Sequence, residues 1–350
     1  IFIEHKISNI TTNNPIYANI GNSVIDTIKF KVGANIDLYT LSGLYMEARA
    51  ELDNPYIPSN SIYPVPPIMN SINNSSGSNT LTCNTGSQYN INTMAGGVTG
   101  SDLDDTNSYS TDTFYTYPNF YFCKEYGSSF PICALNNTKT WLEIKYRNFD
   151  EFTDSQKATL SSTVHIEYVN LSDDERLRFI NDTDSYIYYD INEITFSTAN
   201  IPLTLHHPIR QLFFIGVGSN GSTTSSLSTP TSLSKNGSLS GIDIQINSDS
   251  LYSYVKNNLS IFTKQNLRHF KGHGRELNAT PEKPYGYLDS IGVHSFCLDN
   301  TNTPSGHLSS NITSSILLKD DNIIIDNIKI YVEVIKFYKI VGGQIAIMHT

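Results

Sequence analysis

The sequence predicts an all-β protein built from two consecutive sandwiches or jelly rolls. Tyr and Phe together number 38, and Asn, Ser and Thr are abundant, a composition that suits short strands joined by long polar loops. Several segments alternate apolar and polar residues with period two. The order of strands, long polar loop and strands occurs twice, on either side of one short helix, and this order favours two similar units.

The clearest strand pattern is VIDTIKFKVG at residues 24–33, which puts three apolar side chains on one face and Lys29 and Lys31 on the other. Such a pattern predicts a strand with one buried face and one solvated face. The same pattern occurs in WLEIKYRNF (141–149), TVHIEYVNL (163–171), GIDIQINS (241–248) and NIKIYVEVIKFY (327–338).

Helices are predicted at only two places, residues 42–52 and 172–180. The second has a clear start signal, because Ser172 can cap the helix and Glu175 stands three residues on, as in a capping box. An aromatic strand, SYIYYDI (185–191), follows this helix. We therefore predict a boundary between two domains here, with the first at 1–182 and the second at 183–350.

Two long polar stretches, residues 54–113 and 218–241, contain too little apolar surface to form a core. We expect both to be exposed excursions from the strands.

Charge and hydropathy exclude some classes of protein. The net charge is −10, so direct binding to nucleic acid is not expected. The apolar runs all fall short of 18 residues, so we expect no membrane-spanning helix. The first residues lack the layout of a secretion signal, and the chain starts with Ile rather than Met, which is typical of a fragment or a processed chain.

The four cysteines are too few for a disulfide framework. Cys123 and Cys133 could approach each other across a turn, but buried free thiols are favoured in a reducing compartment. The four are Cys83, Cys123, Cys133 and Cys297.

Several short motifs resemble functional sites without completing one. GVGSNG (216–221) lacks the following helix that a dinucleotide site needs. HFKGHGRE (269–276) and DLDDTNS (102–108) lack the remaining ligands of a metal site. His206 and His207 are adjacent, so on a strand they would point to opposite faces.

Ser305 and His307 lie in the stretch SFCLDNTNTPSGHLSSNIT, residues 295–313. They raise the hypothesis of a catalytic loop, but the Pro-Ser-Gly run is typical of a sharp turn. We predict no catalytic, cofactor-binding or metal-binding residues, and no cofactor.

Eleven Asn-X-Ser/Thr sequons occur, and chance alone gives about seven or eight at this composition. The sequons alone therefore do not indicate secretion. Those in the long polar stretches are the candidate glycosylation sites: Asn73, Asn74, Asn220 and Asn236.

Several stretches resemble, in order, the major capsid proteins of the nucleocytoplasmic large DNA viruses. The resemblance covers nearly the whole chain from residue 22. It lies in residues 22–52, with Gly33 and Ile36–Asp37; in 117–146, where Phe120-Tyr121-Phe122 replaces an FWF motif; in 164–180, whose helix resembles DERRRF; in HPIRQLFFIGV (207–217); in 291–318, with Pro304-Ser305-Gly306 and Asn311; and in 335–347.

The resemblance implies two consecutive eight-stranded jelly rolls with short helices and long surface loops. The family's first barrel strands have no counterpart here, so the first jelly roll is expected to lack its N-terminal strands. An arginine that follows Asn311 in the family motif is also missing, since Ile312 and Thr313 stand there.

The family implies a structural function without catalysis. Homotrimers would form pseudo-hexagonal capsomers that tile an icosahedral shell, in a virion assembled in the host cytoplasm. The expected partners are other copies of the chain, neighbouring capsomers and minor capsid proteins, with an inner membrane approached only through other proteins. The alternatives are a minor capsid or scaffolding protein, a jelly-roll carbohydrate-binding module and, least favoured, an enzyme.

Overall fold

The computed structural model describes residues 1–8, 20–34, 36–53, 113–123, 126–136, 138–148, 159–181, 185–195, 198–203, 205–216, 242–254, 291–299, 305–309, 312, 314–318 and 328–348. The strands are β1 Phe2–Ser8, β2 Ile25–Val32, β3 Ile36–Ser42, β4 Thr113–Thr116, β5 Thr140–Tyr146, β6 Thr159–His165, β7 Ser185–Ile194, β8 Asn200–Pro202, β9 Ile209–Gly216, β10 Ile242–Ile246, β11 Asp249–Tyr254, β12 Ile291–Ser295, β13 Ser314–Leu318, β14 Ile328–Val341 and β15 Gln344–Met348. The helices are α1 Ile20–Ser23, α2 Gly43–Asp53 and α3 Asp173–Asn181, with 3₁₀ turns at Tyr121–Cys123, Tyr126–Ser128 and Ile132–Ala134.

These strands form four antiparallel sheets. Sheet I has the order β4-β1-β6 and sheet II the order β3-β2-β5. Sheet III has the order β12-β9-β14-β15, with β7 on the other edge of β14, and sheet IV has the order β11-β10-β13-β8. Sheets I and II come from the first half of the chain and sheets III and IV from the second, so the prediction of an all-β protein is confirmed.

Strand β2 shows how the period-two pattern becomes structure. Ile28, Phe30 and Val32 are buried, whereas Lys29 and Lys31 lie on the solvated face. The lysines form ion pairs there: Lys29 Nζ lies 2.7 Å from Asp37 Oδ2, and Lys31 Nζ lies 2.7 Å from Glu143 Oε2. The prediction for this strand is therefore confirmed. Burial of one face also fixes the pairing register of the sheet, because a shift by one residue would expose the apolar side chains.

Strand β1 was not identified from the sequence. It is the central strand of sheet I, and its His5 is fully buried. The His5 ring lies in hydrogen-bond contact with two hydroxyls, at 2.8 Å from Ser162 Oγ and 3.1 Å from Thr116 Oγ1. A buried polar side chain broke the alternation that would have indicated a strand.

We expect His5 to make sheet I sensitive to acid. Burial lowers the pKa of His5 to about 4, while an unfolded chain protonates it near 6.5. The stabilisation is present above pH 6.5 and is lost as the pH falls to about 4, because only the unfolded state then gains the proton. The loss amounts to about 3 kcal/mol, so thermal melts between pH 7.5 and 4.5 should show a steeper fall for the wild type than for His5→Gln. Equal slopes would contradict this account of His5.

The predicted strand at 163–171 is wrong beyond His165. Strand β6 lies earlier, at Thr159–His165, and residues 166–172 form no strand. The apolar residues that produced the pattern are exposed: Ile166, Tyr168 and Val169. Their alternation therefore does not reflect a face buried in a sheet.

The two predicted helices are confirmed. In α3, Ser172 and Glu175 form the capping box, with the backbone N–H of Ser172 donating to Glu175 Oε2 at 2.9 Å. These hydrogen bonds lower the pKa of the Glu175 carboxyl, because they favour its charged form. Helix α2 starts at Gly43, where a Cβ atom would lie 2.0 Å from the carbonyl oxygen of Ile25.

The central strand β9 of sheet III is buried on both faces. In β9, Leu212 and Phe214 pack into a core shared with sheet IV, whereas Phe213 and Ile215 pack into the core of the first half of the chain. The continuous apolar run LFFI has this physical origin, because a strand covered on both faces need not alternate. Sheet III is thus a common wall between the two halves.

Candidate functional site at the junction of the two halves

The junction is the surface along which one face of sheet III meets α2 and the 3₁₀ turns of the first half. Its apolar part is aromatic: the ring centroids of Tyr45 and Phe213 lie 5.3 Å apart, edge to face, and those of Tyr45 and Tyr331 lie 5.6 Å apart. The Ser42 hydroxyl donates to the Tyr331 hydroxyl at 2.9 Å. Edge-to-face rings add directional attraction to the burial of apolar area, so these contacts fix how the two halves meet.

A buried ion pair lies within the junction. Arg210 Nη1 donates to Glu333 Oε2 at 2.9 Å, and the side chains are only 0% and 4% exposed. Strand β9 has an extra residue at this point, since Gln211 pairs with Glu333 and Ile209 pairs with Val334. This β-bulge at Arg210 redirects the side chain, a common use of bulges, and brings the guanidinium next to Glu333.

The surroundings of the pair keep both arginines of the junction charged. Burial disfavours the charge of Arg210, but Glu333, Cys297 and Tyr189 together outweigh burial and raise the pKa of the guanidinium. The Arg210 guanidinium also lies 4.2 Å from the centroid of the Tyr189 ring, a cation–π contact, and burial raises the pKa of Tyr189 to about 12. Burial likewise opposes the charge of Arg49, while Asp53, 2.8 Å from its Nε, raises the arginine's pKa.

The described part of the junction encloses a cavity of about 10 Å³, close to the space that one water molecule needs. The cavity is lined by Tyr45, Arg49, Asn119, Tyr121, Tyr189, Ile191 and Glu333. These side chains belong to the contacts that hold the two halves of the chain in one position.

The corner that carries Ser305 and His307 follows β12, and Arg210 Nη2 donates to the backbone carbonyl of Asp299 beside it at 3.5 Å. The Ser305 hydroxyl contacts Asp299, at 3.2 Å from its Oδ1, and the Asp299 backbone N–H donates to Ser305 Oγ at 3.1 Å. His307 is exposed. These hydrogen bonds hold Ser305 against the backbone and side chain of Asp299, just after β12, whereas residues 300–304, including Pro304, lie outside the described residues.

Gly306 is the residue on which this corner depends, and we expect Gly306→Ala to lower the free energy of unfolding by about 2–4 kcal/mol. Its φ is +150°, and a Cβ atom would lie 2.8 Å from the carbonyl oxygen of Phe296. Gly127→Ala is the matched control, since a Cβ there meets nothing within 4 Å. Urea unfolding of both variants checks the prediction, and similar midpoints for the two would contradict it.

The structure describes only some of the remaining candidate residues. The motifs at 102–108 and 269–276 lie outside the described residues, as do residues 217–221 of the GVGSNG motif and the candidate glycosylation sites Asn73, Asn74, Asn220 and Asn236. In the described residues, Cys123, Cys133 and Cys297 are free thiols, and groups of three or more His, Cys, Asp or Glu that could hold a metal ion are not found.

His206 is exposed and His207 half-buried, in a bend before β9 rather than on a strand. Throughout the described part of the chain, every helix is too short or too polar to cross a membrane.

Sequence reasoning missed the ion pair at the junction. Its signal was present, because Glu333 interrupts the apolar run IYVEVI and Arg210 precedes LFFI. A charged residue inside an apolar strand is expected to be paired. Its partner was not identifiable, since the bulge that brings the two together leaves no pattern in the sequence.

Known proteins resemble this chain in sequence over short stretches and in fold over its whole length. No family model matches the chain. The chain is 24% identical over 102 residues to a major capsid protein of Pyramimonas orientalis virus, covering 27% of this chain and 25% of the relative. It is 26% identical over 123 residues to a major capsid protein of Phaeocystis pouchetii virus, covering 29% of this chain and 24% of the relative. These matches span about a quarter of the length of the curated relatives.

A solved structure of the PBCV-1 virus capsid aligns with all of this chain and with 89% of its own, at a TM-score of 0.60 and 15% identity. An identity this low shows the fold alone. The chain therefore has the double jelly-roll fold, as the sequence predicts, and its resemblance to the major capsid proteins of large DNA viruses is confirmed.

Proposed function

We propose that this chain is a major capsid protein, a structural component of a viral shell that catalyses no reaction. The observation that carries the proposal is the alignment of the whole chain with the PBCV-1 capsid structure. The curated relatives named major capsid proteins support it from the sequence side.

The shared wall supports a role as a building block. A shell protein must keep its shape while neighbours press on it from several sides. Because sheet III belongs to both cores, a displacement of one jelly roll against the other would open apolar surface on both, at roughly 25 cal/mol for each Å².

In this proposal three copies form a pseudo-hexagonal capsomer, and capsomers tile an icosahedral shell. The partners are other copies of the chain, neighbouring capsomers and minor capsid proteins, in a virion assembled in the host cytoplasm. An inner membrane would be approached only through other proteins. The net charge of −10 suits a wall that does not bind the genome, since acidic surfaces repel nucleic acid.

Light scattering on the purified chain tests the proposal. We expect a particle of three times 39.0 kDa at micromolar concentration. A stable monomer with selective binding on a glycan array would contradict the shell function and favour a carbohydrate-binding module. A trimer present in few copies per virion would favour a minor capsid protein.

A further inference from the structure

A small cavity at the junction brings together polar side chains of both halves. Its volume of about 10 Å³ is close to the space that one water molecule needs. Six of the seven side chains that line it carry a polar group, and Ile191 is the exception. Tyr189, Ile191 and Glu333 come from the second half and the other four from the first, so a molecule bound here would contact both halves.

Glu333, in the lining of this cavity, has hydrogen-bonding capacity left. Its Oε2 accepts from Arg210 Nη1 at 2.9 Å, and the described part of the chain contains no second hydrogen-bond donor to this carboxylate. An ionised carboxylate can accept about four hydrogen bonds. Because the Glu333 side chain is only 4% exposed, bulk solvent does not supply the others, and a buried ion pair offsets its desolvation cost only when its remaining lone pairs are satisfied.

Asn119 is the corresponding side chain of the first half. It lies between two buried residues, Pro118 and Phe120, and is itself half-buried. Its amide can donate two hydrogen bonds and accept two, and among the described residues its side chain forms none. Two polar side chains of opposite halves therefore line one cavity, and both have hydrogen-bonding groups for which the described residues offer no partner.

The charges around the cavity favour a neutral occupant. Arg210 is paired with Glu333 at 2.9 Å and Arg49 with Asp53 at 2.8 Å, so two anions balance the two cations. An added ion would place an unbalanced charge in a buried site, which costs far more than a neutral polar molecule there. A neutral molecule that both donates and accepts also fits a carboxylate, which only accepts, next to an amide, which does both.

We propose that the cavity binds one ordered water molecule, which donates a hydrogen bond to the Glu333 carboxylate and accepts one from the Asn119 amide. Buried water molecules typically make about three hydrogen bonds to polar groups that would otherwise lack them, and the other polar side chains of the lining offer the third. A bridging water is nearly as favourable in enthalpy as a direct hydrogen bond. The water therefore completes the environment of the buried ion pair and links β14 to the segment before the first 3₁₀ turn. This inference does not depend on the proposed shell function.

A crystal structure of the full chain, at a resolution that shows ordered water, tests the proposal. We expect one spherical peak of electron density in the cavity, at about 2.6–3.2 Å both from a carboxylate oxygen of Glu333 and from the side-chain amide of Asn119. An empty cavity, or a peak in contact with only one of the two side chains, would overturn the proposal. A bromide soak identifies the occupant, because an anomalous signal in the cavity would show an anion and overturn the assignment to water.

The variant Asn119→Leu tests the bridge itself, because leucine has as many side-chain heavy atoms as asparagine but no hydrogen-bonding group. We expect the peak to be lost in crystals of this variant. Asn200→Leu is the matched control, since Asn200 is exposed on β8 in sheet IV, and it should leave the peak unchanged. A peak of full height in Asn119→Leu would overturn the bridge between the halves. The wild-type crystal decides the presence of the water even when Asn119→Leu fails to fold.

Discussion

Replacing Glu333 by glutamine should lower the free energy of unfolding by about 3–5 kcal/mol, because it leaves a buried cation without its counter-charge. Arg210 lies in a fully buried position, with Glu333 Oε2 at 2.9 Å. Urea unfolding followed by circular dichroism measures the change.

Two further variants decide whether charge burial is the cause. Glu193→Gln removes the same charge from an exposed pair, 3.1 Å from Lys329 Nζ on the same sheet, and should cost no more than about 1 kcal/mol. Arg210→Met/Glu333→Leu removes both charges and should recover much of the stability lost in Glu333→Gln. A Glu333→Gln variant that is no less stable than Glu193→Gln would show that the Arg210–Glu333 pair contributes little to the free energy of unfolding.

The second large effect concerns the shared wall, and it compares two adjacent phenylalanines. We expect Phe213→Ala and Phe214→Ala each to cost about 3–5 kcal/mol, because both rings are fully buried. Phe213 faces the junction and Phe214 faces the core shared with sheet IV. Only Phe213→Ala should therefore divide thermal unfolding into two transitions, one for each half of the chain.

Differential scanning calorimetry distinguishes these outcomes. A single transition for the wild type and for Phe214→Ala, with two for Phe213→Ala, would show that the junction couples the halves. Two separate transitions already present in the wild type would mean that sheet III does not act as a common wall.

The strands with one buried face were predictable, and so was the capped helix. Strand β2 alternates because its lysines stay in water while its apolar residues are buried, and α3 begins where Ser172 and Glu175 form their capping box. Such features depend on residues close together in the sequence, so a local pattern reveals them.

Features that depend on distant residues were not predictable. Arg210 and Glu333 are 123 residues apart, and a bulge brings them together. His5 is buried through partners on two other strands, Thr116 and Ser162. The strand predicted at 163–171 ends at His165, and Ile166, Tyr168 and Val169 beyond it are exposed, because an alternating pattern does not show what a segment packs against.

The central claim is that this chain builds a capsid shell, and imaging of assembled particles by electron cryomicroscopy tests it most directly. The account predicts pseudo-hexagonal capsomers, each filled by three copies of the double jelly roll. Particles whose capsomers hold a different protein, with this chain absent from the shell, would contradict it.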